Sequence, residues 1–194
     1  YLRSDKDYTG RPTVPCLVDL KTGLIANNDY FNLTRYFETK WTKFHKPGAP
    51  DLYPEELRSQ IDKLNDELFD KVNNGVYKAG FARSQEAYED AVVNVFNMFD
   101  SLEERLSHSR YLFGNRITES DVRLYVTLAR FDIAYYNAFK VNLKSLKEYK
   151  NLWAYARDLY QTKGFGDTTD FLSIKKHYHL CCVENPYKIL PLGP

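Results

Sequence analysis

Little in this chain is unbalanced, and several common features are scarce. Its 27 lysines and arginines stand against 26 aspartates and glutamates across 194 residues, so it lacks the electrostatic footprint of a nucleic-acid or charged-membrane binder. No apolar run reaches bilayer length, so no transmembrane segment is expected. Cysteines number only three, and two of them, Cys181 and Cys182, are adjacent, where a mutual bridge would be strained. A disulfide-built secreted scaffold is therefore excluded and a reducing compartment, cytoplasm or organelle, is expected. Tyr1 stands first with no Met and no charged-then-apolar leader, so the start reads as cut or processed. Aromatic residues, in contrast, are plentiful: 16 tyrosines and 12 phenylalanines suit a core and pockets with an apolar body and a polar tip. Small neutral or apolar partners fit this balance.

The N-terminal quarter has the period of strands. Thr13 to Leu20 is a short apolar run, Lys21-Thr22-Gly23 is a turn signal and Leu24-Ile25-Ala26 is a second run, which together predict a β-hairpin. Pro15 has no N–H for the ladder, so it belongs at the first strand's start or demotes that segment. Asn27-Asn28-Asp29 then offers N-cap chemistry to a helix with apolar positions Tyr30, Leu33, Phe37 and Trp41, whose N-terminus would favour a carboxylate. Residues 45–53, with Pro47, Gly48 and Pro50 and no periodicity, read as a linker between residues 1–44 and an all-helical part over residues 54–194.

In the helical part, Leu57, Ile61, Leu64, Leu68 and Val72 follow Pro54 at helical spacing, and Tyr88, Val92, Val95, Phe99, Leu102 and Leu106 repeat the pattern; both stripes read as core. Between them, Asn74 to Ala82 brackets Tyr77 with Gly75 and Gly80. This reads as a loop in which the glycines supply backbone conformations closed to other residues, or permit a close approach, and present Tyr77 to a ligand; the alternative is an ordinary turn with a core-packed tyrosine. Thr118 and Asp121 form a capping box with Ile117 as a hydrophobic staple, so a helix begins at Glu119 and runs buried to Phe139. Arg123, Arg130 and Asp132 on it should pair with one another or with acidic partners, since isolated buried charge is costly. Leu152, Tyr155, Ala156, Leu159 and Tyr160 mark a helix ending near Gly164, and Phe171, Ile174 and Tyr178 a shorter one. His177, His179, Cys181 and Cys182 invite a zinc reading but lack the paired spacings of a structural site, so no metal is expected.

Certain segments carry a family resemblance. Gly10-Arg11-Pro12-Thr13-Val14-Pro15, Asn73-Asn74-Gly75-Val76-Tyr77-Lys78-Ala79-Gly80-Phe81-Ala82, Thr118-Glu119-Ser120-Asp121-Val122-Arg123-Leu124, Arg130-Phe131-Asp132, Asn151-Leu152-Trp153, Arg157-Asp158-Leu159-Tyr160-Gln161, His177-Tyr178 and Gly193-Pro194 resemble, in order, segments of the glutathionyl-hydroquinone reductases, the Xi class of glutathione transferases. The resemblance spans nearly the whole chain. It implies an α+β remnant of a thioredoxin-like domain followed by an all-α glutathione-transferase C-terminal helical domain. It implies glutathione as co-substrate, with Val14 and Pro15 as the cis-proline dipeptide facing its cysteinyl part, and Asp29 and Tyr30 at the corner that holds its γ-glutamyl end, where the family has Glu-Ser. Tyr77 and Tyr178 would hydrogen-bond the oxygens of a quinol conjugate. Family members act through a cysteine in a Cys-Pro-Trp motif that attacks the glutathionyl sulfur, after which a second glutathione resolves the mixed disulfide.

No Cys-Pro-Trp occurs here, so no catalytic residue is assigned to this chain, and Cys16, next to Pro15, is expected to be a buried, inert thiol. The tail also departs, being about one residue shorter than the family's and reading Leu180-Cys181-Cys182-Val183. The resemblance thus implies a parent protein that reduces glutathionyl-hydroquinones, with this chain alone not turning over. The alternative is a non-catalytic glutathione-transferase-like subunit or scaffold. As partner it implies a second copy of the chain, in a homodimer through the helical domains; the hairpin edge is expected to be covered by a preceding N-terminal segment or by another subunit. Two strands and one helix cannot bury both sheet faces. The 194-residue polypeptide on its own should therefore show fast amide exchange from Tyr1 to about Phe37, beside a protected helical part and negligible glutathione affinity. Slow exchange throughout the hairpin of the isolated monomer would overturn this.

Overall fold

The computed structural model describes residues 1–193; Pro194, the end of the Gly193-Pro194 pair, lies outside the described residues. The chain divides into two compact units, Tyr1–Pro54 and Glu55–Pro194.

In the first unit, β1 (Leu17–Val18) and β2 (Ile25–Asn27) pair antiparallel, Leu17 opposite Asn27 and Val18 opposite Ile25, with an irregularity between them. The expected hairpin forms, but it is shorter than the apolar runs because Pro15 lies before the first strand and the turn begins early. Asp19 accepts through its carboxylate from the Lys21 and Thr22 N–H groups, and Gly23 takes φ +69°, which suits a residue without Cβ. The first thirteen residues close on themselves, the Tyr1 hydroxyl donating to the Thr13 carbonyl at 2.5 Å, and touch this hairpin where Ser4 Oγ accepts from Ile25 N at 2.8 Å. Helix α1 (Leu33–Thr39) starts later than Asn27-Asn28-Asp29 suggests. Asp29 spends its side chain on a turn ahead of the helix, so Tyr30 stays outside it, and Trp41 falls beyond its end, before a 3-10 turn at Thr42–Phe44. Leu33 is the buried residue of the helix, while Phe37, Trp41 and Phe44 are exposed.

The second unit is helical: α2 (Arg58–Leu68), α3 (Gly75–Gly80), α4 (Gln85–His108), α5 (Glu119–Arg130), α6 (Tyr136–Ala138), α7 (Lys150–Gln161) and α8 (Phe171–His177). Helix α4, about 36 Å long at 1.5 Å per residue, is the longest described. Ser84 caps it by accepting from Ala87 N at 3.1 Å. Its predicted stripe is buried from Val92 to Leu106, and Phe99 meets Phe131 at a ring separation of 4.9 Å near the centre of the core. Helix α7 takes its cap from another helix: the Glu103 carboxylate on α4 accepts from the N–H groups of Asn151 and Leu152, which joins opposite charge to the positive end of the α7 dipole. Helix α7 ends at Gln161, three residues ahead of Gly164, which has φ +100°.

The capping box opens α5 as expected, and Asp121 does more than cap. Fully buried, its carboxylate accepts from Thr118 N (2.7 Å), Thr118 Oγ1 (2.9 Å), Leu112 N (3.0 Å) and the Tyr155 hydroxyl (2.8 Å). Burial pushes its pKa up and these donors pull it back. Beside it, Arg123 pairs with buried Glu119 at 2.6 Å, which in turn accepts from Asn65 of α2. The expected pairing thus holds for Arg123 alone. Arg130 donates to the Val126 carbonyl, and Asp132 accepts from Leu146 N, so these two satisfy backbone rather than charge.

The helix opened at Glu119 does not continue regularly to Phe139. A π turn, Phe131–Tyr135, interrupts it. Two further π turns are described, Phe69–Asn73 after α2 and Tyr178–Cys182 after α8; the first closes with Asn74 N on the Phe69 carbonyl at 2.8 Å. One extra residue in the turn rotates the downstream side chains by about 100° relative to an uninterrupted helix.

Replacing Asp121 with Ala strips two buried hydroxyls and two buried N–H groups of their acceptor. We expect a loss of about 3 kcal/mol, read as a lower denaturation midpoint at unchanged slope.

Candidate functional site

The three π turns surround one cluster. Tyr77 lies on α3, just after the first turn; Tyr135 ends the second; Tyr178 opens the third. Their hydroxyls meet, Tyr77 to Tyr178 at 2.5 Å, Tyr135 to Tyr178 at 3.0 Å and Tyr77 to Tyr135 at 3.4 Å. Phe139 packs among the three rings at centroid separations of 5.3 to 5.7 Å, and Phe81, 59% exposed, stands beside it.

The segment around Tyr77 is helix rather than loop, which corrects the reading of its glycines. Neither Gly75 nor Gly80 has a positive φ. Their value is space: a Cβ on Gly80 would lie 2.3 Å from the Phe139 ring, and one on Gly75 3.1 Å from a Val95 methyl. What approaches closely is the protein's own core, and through Phe139 the close contact at Gly80 helps fix where Tyr77 sits. Sequence reasoning joined Tyr77 to Tyr178 but missed Tyr135, because a residue within a continuous apolar stretch reads as core unless the π turn that re-aims it is known.

Burial is the main reason that the phenols of Tyr135 and Tyr178 are held well above the ordinary tyrosine pKa; the Tyr77 hydroxyl raises both further. Neutral phenols each bring one proton and spare lone pairs. Three that already touch can rotate to donate to, or accept from, an oxygen of a small ring while their faces supply apolar contact.

The other site residues predicted from sequence belong to the first unit. The Val14-Pro15 peptide is cis, and Val14 is 87% exposed. Asp29 Oδ1 accepts from Phe31 N at 3.1 Å and Asn32 N at 3.2 Å, and Oδ2 from Asn32 Nδ2 at 2.7 Å; the Asn32 side-chain bond leads in lowering its pKa. Its carboxylate is thus turned into its own chain, and Tyr30 is exposed. Cys16, expected to be buried, is half-buried. Of the His and Cys residues weighed above as metal ligands, His179 Nε2 donates to the Ile133 carbonyl at 3.1 Å and Cys182 Sγ lies 3.4 Å from His177 Nε2; among the described residues no group of three or more His, Cys, Asp or Glu has metal-binding geometry.

Comparison with known proteins places this architecture. Residues 85–158 match the profile of the glutathione S-transferase C-terminal domain. The glutathione transferase Xi 1 structure from Trametes versicolor superposes with a TM-score of 0.92 at 43% identity, covering 100% of this chain and 68% of that one. The chain belongs to the Xi class of glutathione transferases. Glutathionyl-hydroquinone reductase YqjG of Escherichia coli K12 is 44% identical over 195 residues, all of this chain and 59% of that protein, and its glutathione-bound structure gives a TM-score of 0.93 over 63% of that chain. PcpF of Sphingobium chlorophenolicum, also a glutathionyl-hydroquinone reductase, is 39% identical over 62% of its length. This Xi-class chain spans about three fifths of the length of the curated relatives it matches. Its second unit is the glutathione-transferase C-terminal helical domain, and its hairpin with α1 is the remnant of a thioredoxin-like domain.

The buried phenols give an alkaline prediction. Because their folded pKa values lie above the unfolded value near 10, the folded state keeps protons that the unfolded state loses. Stability should therefore fall as pH rises past that value. In an ultraviolet tyrosinate titration, Tyr135 and Tyr178 should stay silent until the protein unfolds; a Tyr135→Phe, Tyr178→Phe double variant that removed part of the native-state titration near pH 10 would disprove it.

Proposed function

We propose that the full-length protein is a glutathione-dependent reductase of glutathionyl-hydroquinones. Residues 1–44 would contribute to its thioredoxin-like glutathione domain, 45–53 would link, and 54–194 would form the quinol-binding helical domain. The observation that carries this reading is the meeting of the Tyr77 and Tyr178 hydroxyls, which supports their hydrogen-bonding the oxygens of one quinol ring, with Tyr135 as a third member. Exposed Val14 at a cis-proline supports a backbone contact to the cysteinyl part of glutathione. Asp29 and Tyr30 would stand at its γ-glutamyl end.

The chemistry is thiol exchange. A cysteine thiolate attacks the conjugate's sulfur, the carbon–sulfur bond breaks, and the ring leaves as a hydroquinone after taking a proton. A second glutathione then displaces the first as glutathione disulfide and frees the cysteine. No cysteine among Cys16, Cys181 and Cys182 is assigned that role, so the nucleophile would come from outside this chain. In this reading the chain's own part is to bind and orient the ring, and the protein acts as a homodimer or with another subunit.

One observation favours a second reading, a non-catalytic glutathione-transferase-like subunit. The N–H groups of Phe31 and Asn32, which could receive a carboxylate, are taken by Asp29 itself.

Turnover of a glutathionyl-hydroquinone by the full-length protein decides between them. We expect hydroquinone and glutathione disulfide as products. Tyr77→Phe and Tyr178→Phe should each lower kcat/KM by roughly three- to tenfold, the worth of a neutral hydrogen bond, with little change in Tm. Absence of both turnover and glutathione binding would favour the subunit reading; turnover indifferent to both substitutions would remove the tyrosines from the site.

A further inference from the structure

His179 is an unusual residue to find one position after a ligand-facing tyrosine. It is 7% exposed, and its imidazole reaches another element, with Nε2 3.1 Å from the Ile133 carbonyl. A carbonyl oxygen only accepts, so Nε2 carries the proton and donates it. Ile133 lies in the middle of the π turn Phe131–Tyr135, and His179 lies in the π turn Tyr178–Cys182. The bond therefore joins the two turns whose ends carry Tyr135 and Tyr178, next to the 3.0 Å contact between those hydroxyls. The backbone of His179 is held as well, since Asn185 Nδ2 donates to its carbonyl at 2.9 Å and to that of Ile189 at 2.7 Å.

We propose that His179 is a positioning residue of the tyrosine site: a latch between the two π turns that fixes Tyr178 against Tyr135 without touching substrate. A π turn holds a register that ordinary helical hydrogen bonding does not enforce. Relaxation of the Tyr178–Cys182 turn towards regular helix would rotate His179 and the residues after it, release the bond to Ile133 and free the adjoining Tyr178 to move from Tyr135. One strong donor into the neighbouring turn opposes that, and the apolar surroundings make it costly to leave unmade. The proposal deepens the quinol reading and rests on it only for its kinetic arm.

The test uses the full-length protein with His179→Phe, which fills the ring volume without a donor, and His179→Gln, whose amide can donate where Nε2 does. Each is made with and without 3-fluorotyrosine at position 178. We expect His179→Phe to shift or broaden the fluorine resonance and to lower kcat and kcat/KM together by roughly ten- to a hundredfold, as about 1 Å of misplacement does. His179→Gln should restore both close to wild type. An unmoved resonance with wild-type kcat in His179→Phe overturns the proposal. So does equal impairment of the two variants, which would mark the ring as core packing. If the wild type does not turn over a glutathionyl-hydroquinone, the quinol reading fails on its own and the fluorine resonance alone decides the latch by the same criterion.

Discussion

The buried carboxylate of Asp121 is the point on which the helical unit turns. A fully buried acid is costly unless its lone pairs are filled, and the four donors that fill them come from the start of α5, the segment before it at Leu112, and Tyr155 on α7. Satisfying one side chain thus fixes the position and direction of the central helix. Glu103 repeats the device at smaller scale by capping α7 from α4. Once α5 is anchored at its N-terminus, its far end must deliver Phe131 to the core and Tyr135 to the cluster.

That far end is where regular helix gives way. An uninterrupted helix from Glu119 to Phe139 would carry one apolar face; the π turn at Phe131–Tyr135 lets one helix serve both the core beneath Phe99 and the aromatic cluster around Phe139. The same substitution of a π turn for helix precedes Tyr77 and begins at Tyr178. Tyr77 and Tyr135 are therefore brought to Tyr178 by local departures from the period that buries the rest of their helices. Gly80 completes the arrangement by letting Phe139 lie against the α3 backbone at a distance no side chain would allow.

Hydrogen bonding and core packing meet in this cluster. Burial keeps the phenols of Tyr135 and Tyr178 protonated, so they remain donors across the physiological range, and their rings count among the buried aromatics of the core. Asp29 in place of the family's Glu brings its carboxylate onto the N–H groups of Phe31 and Asn32, because one methylene fewer favours the tight Asx turn over an outward reach.

The sequence alone determined the helices and their stripes, the capping box at Thr118 and Asp121, the hairpin and its turn, and, through resemblance, the family and the pairing of Tyr77 with Tyr178. These come from periods of two and 3.6, from cap chemistry and from motif spacing, all of which are local. The tertiary structure alone decided that Gly75 and Gly80 serve packing instead of a loop, that Arg130 and Asp132 satisfy backbone groups, that Tyr135 joins the Tyr77–Tyr178 pair, and that His179 reaches Ile133. Each depends on what a distant element brings to within a few ångströms, and a π turn costs only a small change in hydrogen-bond register that no residue pattern announces.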